Sequence, residues 1–265
     1  MLLAVLAAYV AYRLKALDRN GALAAFLLGT LVFGLGGLPW AVVLLTFFIT
    51  SSGLSRLFKQ RKKKIEDQFS KDNLRDAGQV AANGGVAGLA VLLGVILPAS
   101  PYPWVMFAAA LAAANADTWA TELGVLNQAW PRSIRTWQQV APGTSGGISL
   151  AGTRAAFIGS LLIAMMAFLF WPGEELTVGT RFLYAFFILI SGFTGSLVDS
   201  LLGATIQGIF WCPVCEKETE RSPRHTCGSP TTLIRGRRWL NNDVVNFFCT
   251  ASSALMAFLL SQLIA

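Results

Sequence analysis

Apolar blocks of bilayer-spanning length punctuate this chain at residues 1–17, 20–38, 39–57, 81–98, 103–124, 154–171, 181–209 and 242–265. Backbone in lipid must satisfy its own N–H and C=O groups, so runs of about 20 apolar residues fold as helices. The eight blocks predict an all-α fold, a polytopic integral membrane helical bundle of about eight transmembrane spans. It forms a single transmembrane domain over 1–265, with a small cytoplasmic Cys-rich loop, 211–239, inserted between the last two spans. Only 13% of residues are charged, against about 25% in soluble domains, which excludes a soluble globular reading. Block 1–17 is the weakest, because Lys15 interrupts it and it spans only if Arg13 and Lys15 snorkel to the interface. It does not read as a signal peptide, since no basic residue precedes the apolar run and no small-residue cleavage site follows it.

Basic residues then set an orientation. Arg13, Lys15 and Arg19 fall in the first loop, and Arg56, Lys59, Arg61, Lys62, Lys63, Lys64, Lys71 and Arg75 in the third. Arg132, Arg135 and Arg154 follow, then Lys217, Arg221, Arg224, Arg235, Arg237 and Arg238. Of the 21 Lys and Arg residues only Arg181 falls on the other side. By the positive-inside rule the crowded side is cytoplasmic and both termini face away from it. The net charge of +7 is therefore a topology signal, and no nucleic-acid partner is expected. The run RKKKIEDQ reads as a solvated loop that fixes orientation, with anionic headgroups as the alternative partner.

Against this apolar background, polar groups collect at one depth. The stretch NADTWATELG carries Asn115, Asp117 and Glu122 near the cytoplasmic end of its span. A charge at the centre of a bilayer costs roughly 2.5–3.5 kcal/mol, so such residues usually have a task. Helical spacing puts Asp117 and Glu122 about 140° apart and predicts different partners for them. Arg75, Gln79 and Asn83 recur at i, i+4, i+8 as a polar stripe entering the next span, while NNDVVN brings Asn242, Asp243 and Asn246 to the same level and Asp199 lies somewhat deeper. For each Asn or Thr the alternative is interhelical hydrogen bonding, and for Glu122 an arginine partner. Clustered carboxylates and amides at a membrane opening suit Mg²⁺ and its phosphate ligands. The nearby loop PGTSGGISLAGTR offers Gly143, Thr144, Ser145, Gly146, Gly147 and Arg154, with backbone N–H groups and a following helix N-terminus that favour phosphate.

Some chemistries are excluded by what is missing. No lysine follows a glycine, so there is no GxxxxGK[ST] phosphate loop, and no Asp-Gly dipeptide of the CDP-alcohol phosphotransferases occurs. The single histidine, His225, lies in the Cys-rich loop, leaving histidine-based acid–base catalysis without a candidate. In that loop Cys212 and Cys215 form a CxxC, and His225 with Cys227 completes a Cys₃His set suited to structural Zn²⁺. Reduced thiols in a flexible loop are the alternative, and Cys249 within the last span is a packing residue.

RDAGQVAANGG, NADTWATELG, PGTSGGISLAGT, GSLVDSLLGATIQ, the CPVC…HTC loop and RRWLNNDVVNF occur in this order over roughly residues 20–265. Together they resemble the membrane family filed as domain of unknown function 92. Its animal members are called transmembrane protein 19, and its plant and cyanobacterial members include phytyl-phosphate kinase. The resemblance implies an Mg²⁺-dependent phosphotransferase in a bacterial inner or thylakoid-type membrane. It would carry a phosphoryl group from a nucleoside triphosphate, CTP foremost, to phytyl or a related prenyl phosphate, as in tocopherol biosynthesis.

On that reading Asp117, Asp199 and Asp243 hold Mg²⁺, and Asn83, Asn115, Glu122, Asn242, Asn246 and loop 143–147 contact the nucleotide. Arg75 and Arg154 neutralise developing charge. The partners are membrane lipid, the prenyl phosphate and the nucleotide, in a monomer or a homo-oligomer. The competing reading is a secondary transporter that uses its intramembrane carboxylates.

Overall fold

The computed structural model describes residues 2–57, 74–124, 129–173 and 175–264, and eight helices longer than two turns organise them. They are α1 (Leu2–Arg13), α2 (Arg19–Leu31), α3 (Leu38–Leu57), α4 (Ala77–Ile96), α5 (Tyr102–Gly124), α6 (Leu150–Leu169), α7 (Val178–Thr205) and α8 (Asn242–Ser261). A π-helical turn, Val32–Gly36, extends α2. The basic residues Lys59, Arg61, Lys62, Lys63, Lys64 and Lys71 lie outside the described residues.

Side-chain caps set most of the helix starts. Asp18 accepts from the Gly21 N–H at 2.6 Å, Asp76 from Gln79 at 2.9 Å and Ser149 from Gly152 at 3.1 Å. Thr177 accepts from Thr180 at 3.2 Å and Asn241 from Val244 at 3.1 Å. These caps shift several boundaries from the expected spans. The block expected from 81 begins at Ala77, that from 154 at Leu150 and that from 181 at Val178. The last of these ends at Thr205 rather than 209, because Ile209–Cys212 is a strand.

Six of the helical segments are long and apolar enough to cross a membrane: α2 with its π turn, α3, α4, α6, α7 and α8 with its last turn. Helix α1 is shorter. Helix α5 has membrane length, yet 14 of its 23 residues are buried, and α3, α4, α6, α7 and α8 all pack on it. The segment AAALAAANA is what permits this: alanine side chains let neighbouring backbones approach on every face. Cross-helix hydrogen bonds complete the packing, with Ser253 Oγ donating to the Ala109 carbonyl at 2.8 Å and Ser160 Oγ to the Leu189 carbonyl at 2.8 Å. Gly195 on α7 has no room for a β-carbon, which would sit 2.8 Å from Ala113 Cβ and 2.9 Å from the Cys249 carbonyl oxygen.

The two ends of the bundle differ. At one, aromatic rings interlock around the start of α5: Trp40 lies 5.0 Å from Trp104 and 4.7 Å from Phe107, and Trp171 stacks on Tyr184 at 5.4 Å. At the other, polar residues line an opening flanked by the small β elements. The ladder of β1 (Arg132–Ser133) with β2 (Gly147–Ile148) folds the glycine-rich loop back before α6. Between α7 and α8, β3 (Ile209–Cys212) is the centre of an antiparallel sheet with β4 (Lys217–Thr219) and β5 (Thr232–Arg235). The Cys-rich loop is thus a small three-stranded knob. Its base is tied to the end of α7, where Arg237 N–H donates to the Ile206 carbonyl at 3.0 Å.

Candidate functional site

A polar cavity of about 290 Å³ opens at this end of the bundle. Every helix residue lining it sits in the half of its helix nearest the opening, opposite the aromatic cluster. Helices α4, α6 and α8 begin here and α3, α5 and α7 end here. The N-termini of three helices, each bearing a partial positive charge, therefore converge on one space. Their caps and first two turns contribute Gln79 and Asn83, Ser149 and Thr153, and Asn242 and Asn246.

Carboxylates come from the facing helix ends. Asp117 on α5 and Asp199 on α7 lie within hydrogen-bonding reach of each other, and Glu220 is close enough to Asp199 to act on it electrostatically. Glu122 also lines the cavity, where its Oε1 accepts from Ser55 Oγ of α3 at 2.8 Å. Arg75 is the one cation among the described lining residues. Burial draws its guanidinium down to about 10, and the Glu122 carboxylate pulls it the other way, so it stays charged near neutral pH. Four carboxyls against one guanidinium leave an excess of negative charge that a bound divalent cation would offset. This donor set, carboxylate and amide oxygens with backbone N–H groups beside them, fits Mg²⁺ carrying phosphates.

The glycine-rich loop forms one wall. Gly143, Thr144, Ser145, Gly146 and Gly147 all line the cavity. Gly146 adopts φ +78°, and a β-carbon there would lie 2.6 Å from Ala204 Cα, so the loop rests backbone to backbone on the last turn of α7. Ser145 Oγ donates to Gln207 Oε1 at 2.7 Å and pins the loop to the chain leaving α7.

Of the residues singled out in the sequence, Arg75, Asn83, Asp117, Glu122, Asp199, Asn242, Asn246 and the five loop residues are brought together in this lining. Asn115, Asp243 and Arg154 are not. Asn115 is fully buried about half a turn deeper than Asp117, and its amide cross-links three helices: Oδ1 accepts from Thr50 and Ser51, and Nδ2 donates to the Gly159 carbonyl. Arg154 is exposed on α6, and Asp243 stands on the first turn of α8 beside the lining. Glu220, Gln207 and Ser55 line the cavity without having been singled out. Glu220 follows β4 directly, and only a folded knob brings a residue so far from the spans to the opening.

In the knob, Cys212 Sγ lies 3.6 Å from Cys227 Sγ, and His225 Nδ1 lies 3.5 Å from Cys215 Sγ and 3.4 Å from Cys227 Sγ. All four ligand atoms fall within 4.8 Å of one another. Zn–S bonds of about 2.3 Å and tetrahedral angles require separations of about 3.7 Å, which this cluster offers to one ion. The contact with Cys227, then burial, pushes the Cys215 thiol up to about 11.

Comparison with known proteins agrees with this architecture. Protein PGR of Arabidopsis thaliana is 31% identical over 278 aligned residues, covering 98% of this chain and 93% of its own. An uncharacterized membrane protein of Methanocaldococcus jannaschii is 31% identical over 73% of this chain and 76% of its own length. Protein VTE6, chloroplastic, of Arabidopsis thaliana is 24% identical over 94% of this chain and 66% of its own length. No solved structure shows a significant match. The model of the family described as integral membrane protein DUF92 matches residues 2–254, which include every helix end that builds the cavity, and the chain belongs to that family.

Proposed function

We propose that the protein is a prenyl-phosphate kinase, transferring the terminal phosphoryl group of a nucleoside triphosphate, CTP foremost, to phytyl or a related isoprenoid phosphate. The observation that carries this reading is the meeting of carboxylates from α5 and α7 with three helix N-termini in one cavity at one end of the bundle. Cation and anion are served side by side, as a metal–nucleotide complex requires. The resemblance of the motifs to phytyl-phosphate kinase supplies the acceptor class, and the similarity to the chloroplast protein VTE6 supports a photosynthetic membrane or its bacterial counterpart.

In this mechanism Asp117 and Asp199 hold Mg²⁺, with Asp243 approaching from the first turn of α8. When bound, the ion neutralises phosphate charge and orients the triphosphate. Loop 143–147 and the first turn of α6 donate backbone N–H groups to the phosphates, while Asn242 and Asn246 fix the nucleotide. An oxygen of the prenyl monophosphate forms the new P–O bond as the bond to the leaving diphosphate breaks, giving prenyl diphosphate and nucleoside diphosphate. The acceptor is largely anionic near neutral pH, its second pKa being about 6, so no general base is needed and the lone histidine is free for the knob. Arg75 steadies charge on the transferring group. Cys212, Cys215, His225 and Cys227 would hold a zinc ion, and that cross-link would keep the knob, and with it Glu220, at the opening. The distribution of basic residues supports a cytoplasmic position for this end, with both termini on the other side.

Incubating the purified protein with Mg²⁺, a panel of nucleoside triphosphates and phytyl or geranylgeranyl phosphate tests the proposal. Prenyl diphosphate is the expected product. Its absence in every combination overturns the assignment, and solute flux in reconstituted vesicles without nucleotide would favour a transporter instead.

A further inference from the structure

Beside the polar cavity lies a smaller chamber of about 150 Å³ between α1, α2, α3 and the start of α4. Its lining is apolar except for Arg75, Gln79 and Asn83, and these same three residues line the polar cavity. The two spaces therefore lie on either side of Arg75, Gln79 and Asn83, which form the wall they share at the start of α4. At this junction Arg75 has two faces: its guanidinium lies 5.8 Å from the ring centroid of Phe47, which walls the apolar chamber. Gln79 Oε1 is buried there and has no hydrogen-bond partner among the described residues. From the junction the apolar lining continues to Leu38 at the far end of α3, and the rise from Phe48 to Leu38 alone covers about 15 Å.

We infer that this chamber holds the isoprenoid tail of the acceptor, with its phosphate at the junction of Arg75, Gln79 and Asn83. The inference rests on the prenyl-phosphate kinase reading above and assigns its tail subsite. An amphiphile with an anionic head needs an apolar space bordered by cationic and amide groups. These two spaces adjoin at such a border, with the Arg75 guanidinium and the Gln79 and Asn83 amides between them. A guanidinium binds phosphate oxygens through charge-assisted hydrogen bonds, and the amides add neutral ones. The chamber itself offers the tail no polar partner, so it selects by length and girth, each buried methylene strengthening binding about fourfold.

This assignment also gives the short first helix a purpose. Ala4, Ala7, Ala8 and Ala11 of α1 recur at helical spacing and all face the chamber. Larger residues on this face would fill the space the tail needs. Helix α1 thus serves as a wall of the tail site, a task that needs less than a full crossing of the membrane.

Two measurements test the inference. Ala25→Phe and Val42→Phe each narrow the chamber without touching the polar cavity. Each is expected to lower kcat/KM for a twenty-carbon prenyl phosphate, relative to a five-carbon one, by tenfold or more. An unchanged ratio in both variants overturns the tail site. The second uses the unaltered protein and needs no turnover: a prenyl phosphate with a diazirine at its tail end is photolysed on the protein, and the labelled peptides are mapped. Labelling of α1, α2 and α3 that excess unlabelled prenyl phosphate suppresses is the expected result. Labelling elsewhere, no labelling, or labelling that competitor leaves intact, as for a bulk-lipid site, overturns it. Specific labelling of these helices with no diphosphate formed would keep the tail site and sink the kinase reading. Diphosphate formation with labels elsewhere would do the reverse.

Discussion

The Asn115 amide nitrogen donates to the Gly159 carbonyl at 2.8 Å, binding the central helix α5 to α6, while its oxygen accepts from Thr50 at 3.0 Å and Ser51 at 2.9 Å on α3. Asn115 and Ser51 are fully buried, and Thr50 is half-buried. Asn115→Ala leaves buried donors and an acceptor without their partner, at a cost of about 1–3 kcal/mol. The expected result is a lowered unfolding midpoint in detergent with residual Mg²⁺ dependence intact. Unchanged stability with selective loss of Mg²⁺ affinity would return Asn115 to the ligand set.

Asp117 and Asp199 behave oppositely. They bring two carboxyls together in a place that disfavours both charges at once, so neutralising one relieves repulsion. Asp117→Asn and Asp199→Asn are each expected to abolish Mg²⁺-dependent turnover while leaving thermal stability equal to or above that of the unaltered protein. Near-normal turnover in either variant removes that residue from the site.

Metal analysis of the purified protein is expected to find one zinc per chain, lost in Cys215→Ser. Because the Cys215 thiol is held up at about 11, zinc must displace its proton, and that displacement becomes harder as the pH falls. Affinity should weaken on going from pH 8 to pH 6, by about tenfold per unit for each proton released. Competition with a chromogenic chelator across this range provides the measurement, and a flat profile would argue against thiolate ligation. Stripping the zinc should also lower turnover by freeing Glu220 from the cavity.

Gly146→Ala combines two penalties. The position has φ +78°, and the added carbon meets the Ala204 backbone. Left-handed strain and overpacking together predict a loss on the order of 2–4 kcal/mol. Thermal unfolding reads the loss directly, and a raised KM for nucleotide is expected as the loop lifts from α7.

The helices were legible because lipid allows the backbone few options, and the level of the polar residues was legible because helical spacing maps directly to depth. Gln79 and Asn83 share one face of α4 as their spacing required, whereas Arg75 lies before the Asp76 cap and reaches the same lining from the preceding loop. Asn115 shows where that logic stops: depth and residue type are shared by ligands and by cross-links, and only the neighbours across the interface tell them apart. Glu220 was illegible for another reason. Its place depends on how a knob of three short strands folds over the end of α7, a tertiary fact that no periodicity in the segment KETE encodes. The caps likewise moved helix starts outward into polar sequence, where hydropathy carries no signal.

Helix α5 carries the residues on which the site depends, yet it does not meet the hydropathy of the six apolar spans. Its sheath of protein explains how a helix of this composition keeps its place at the centre of the bundle, and it also bears on biogenesis. A translocon testing segments one by one has little reason to release this one into lipid. Retention of α5 until α6 and α7 emerge and close around it makes insertion cooperative, so a fault in a later helix should surface as a failure to integrate an earlier one.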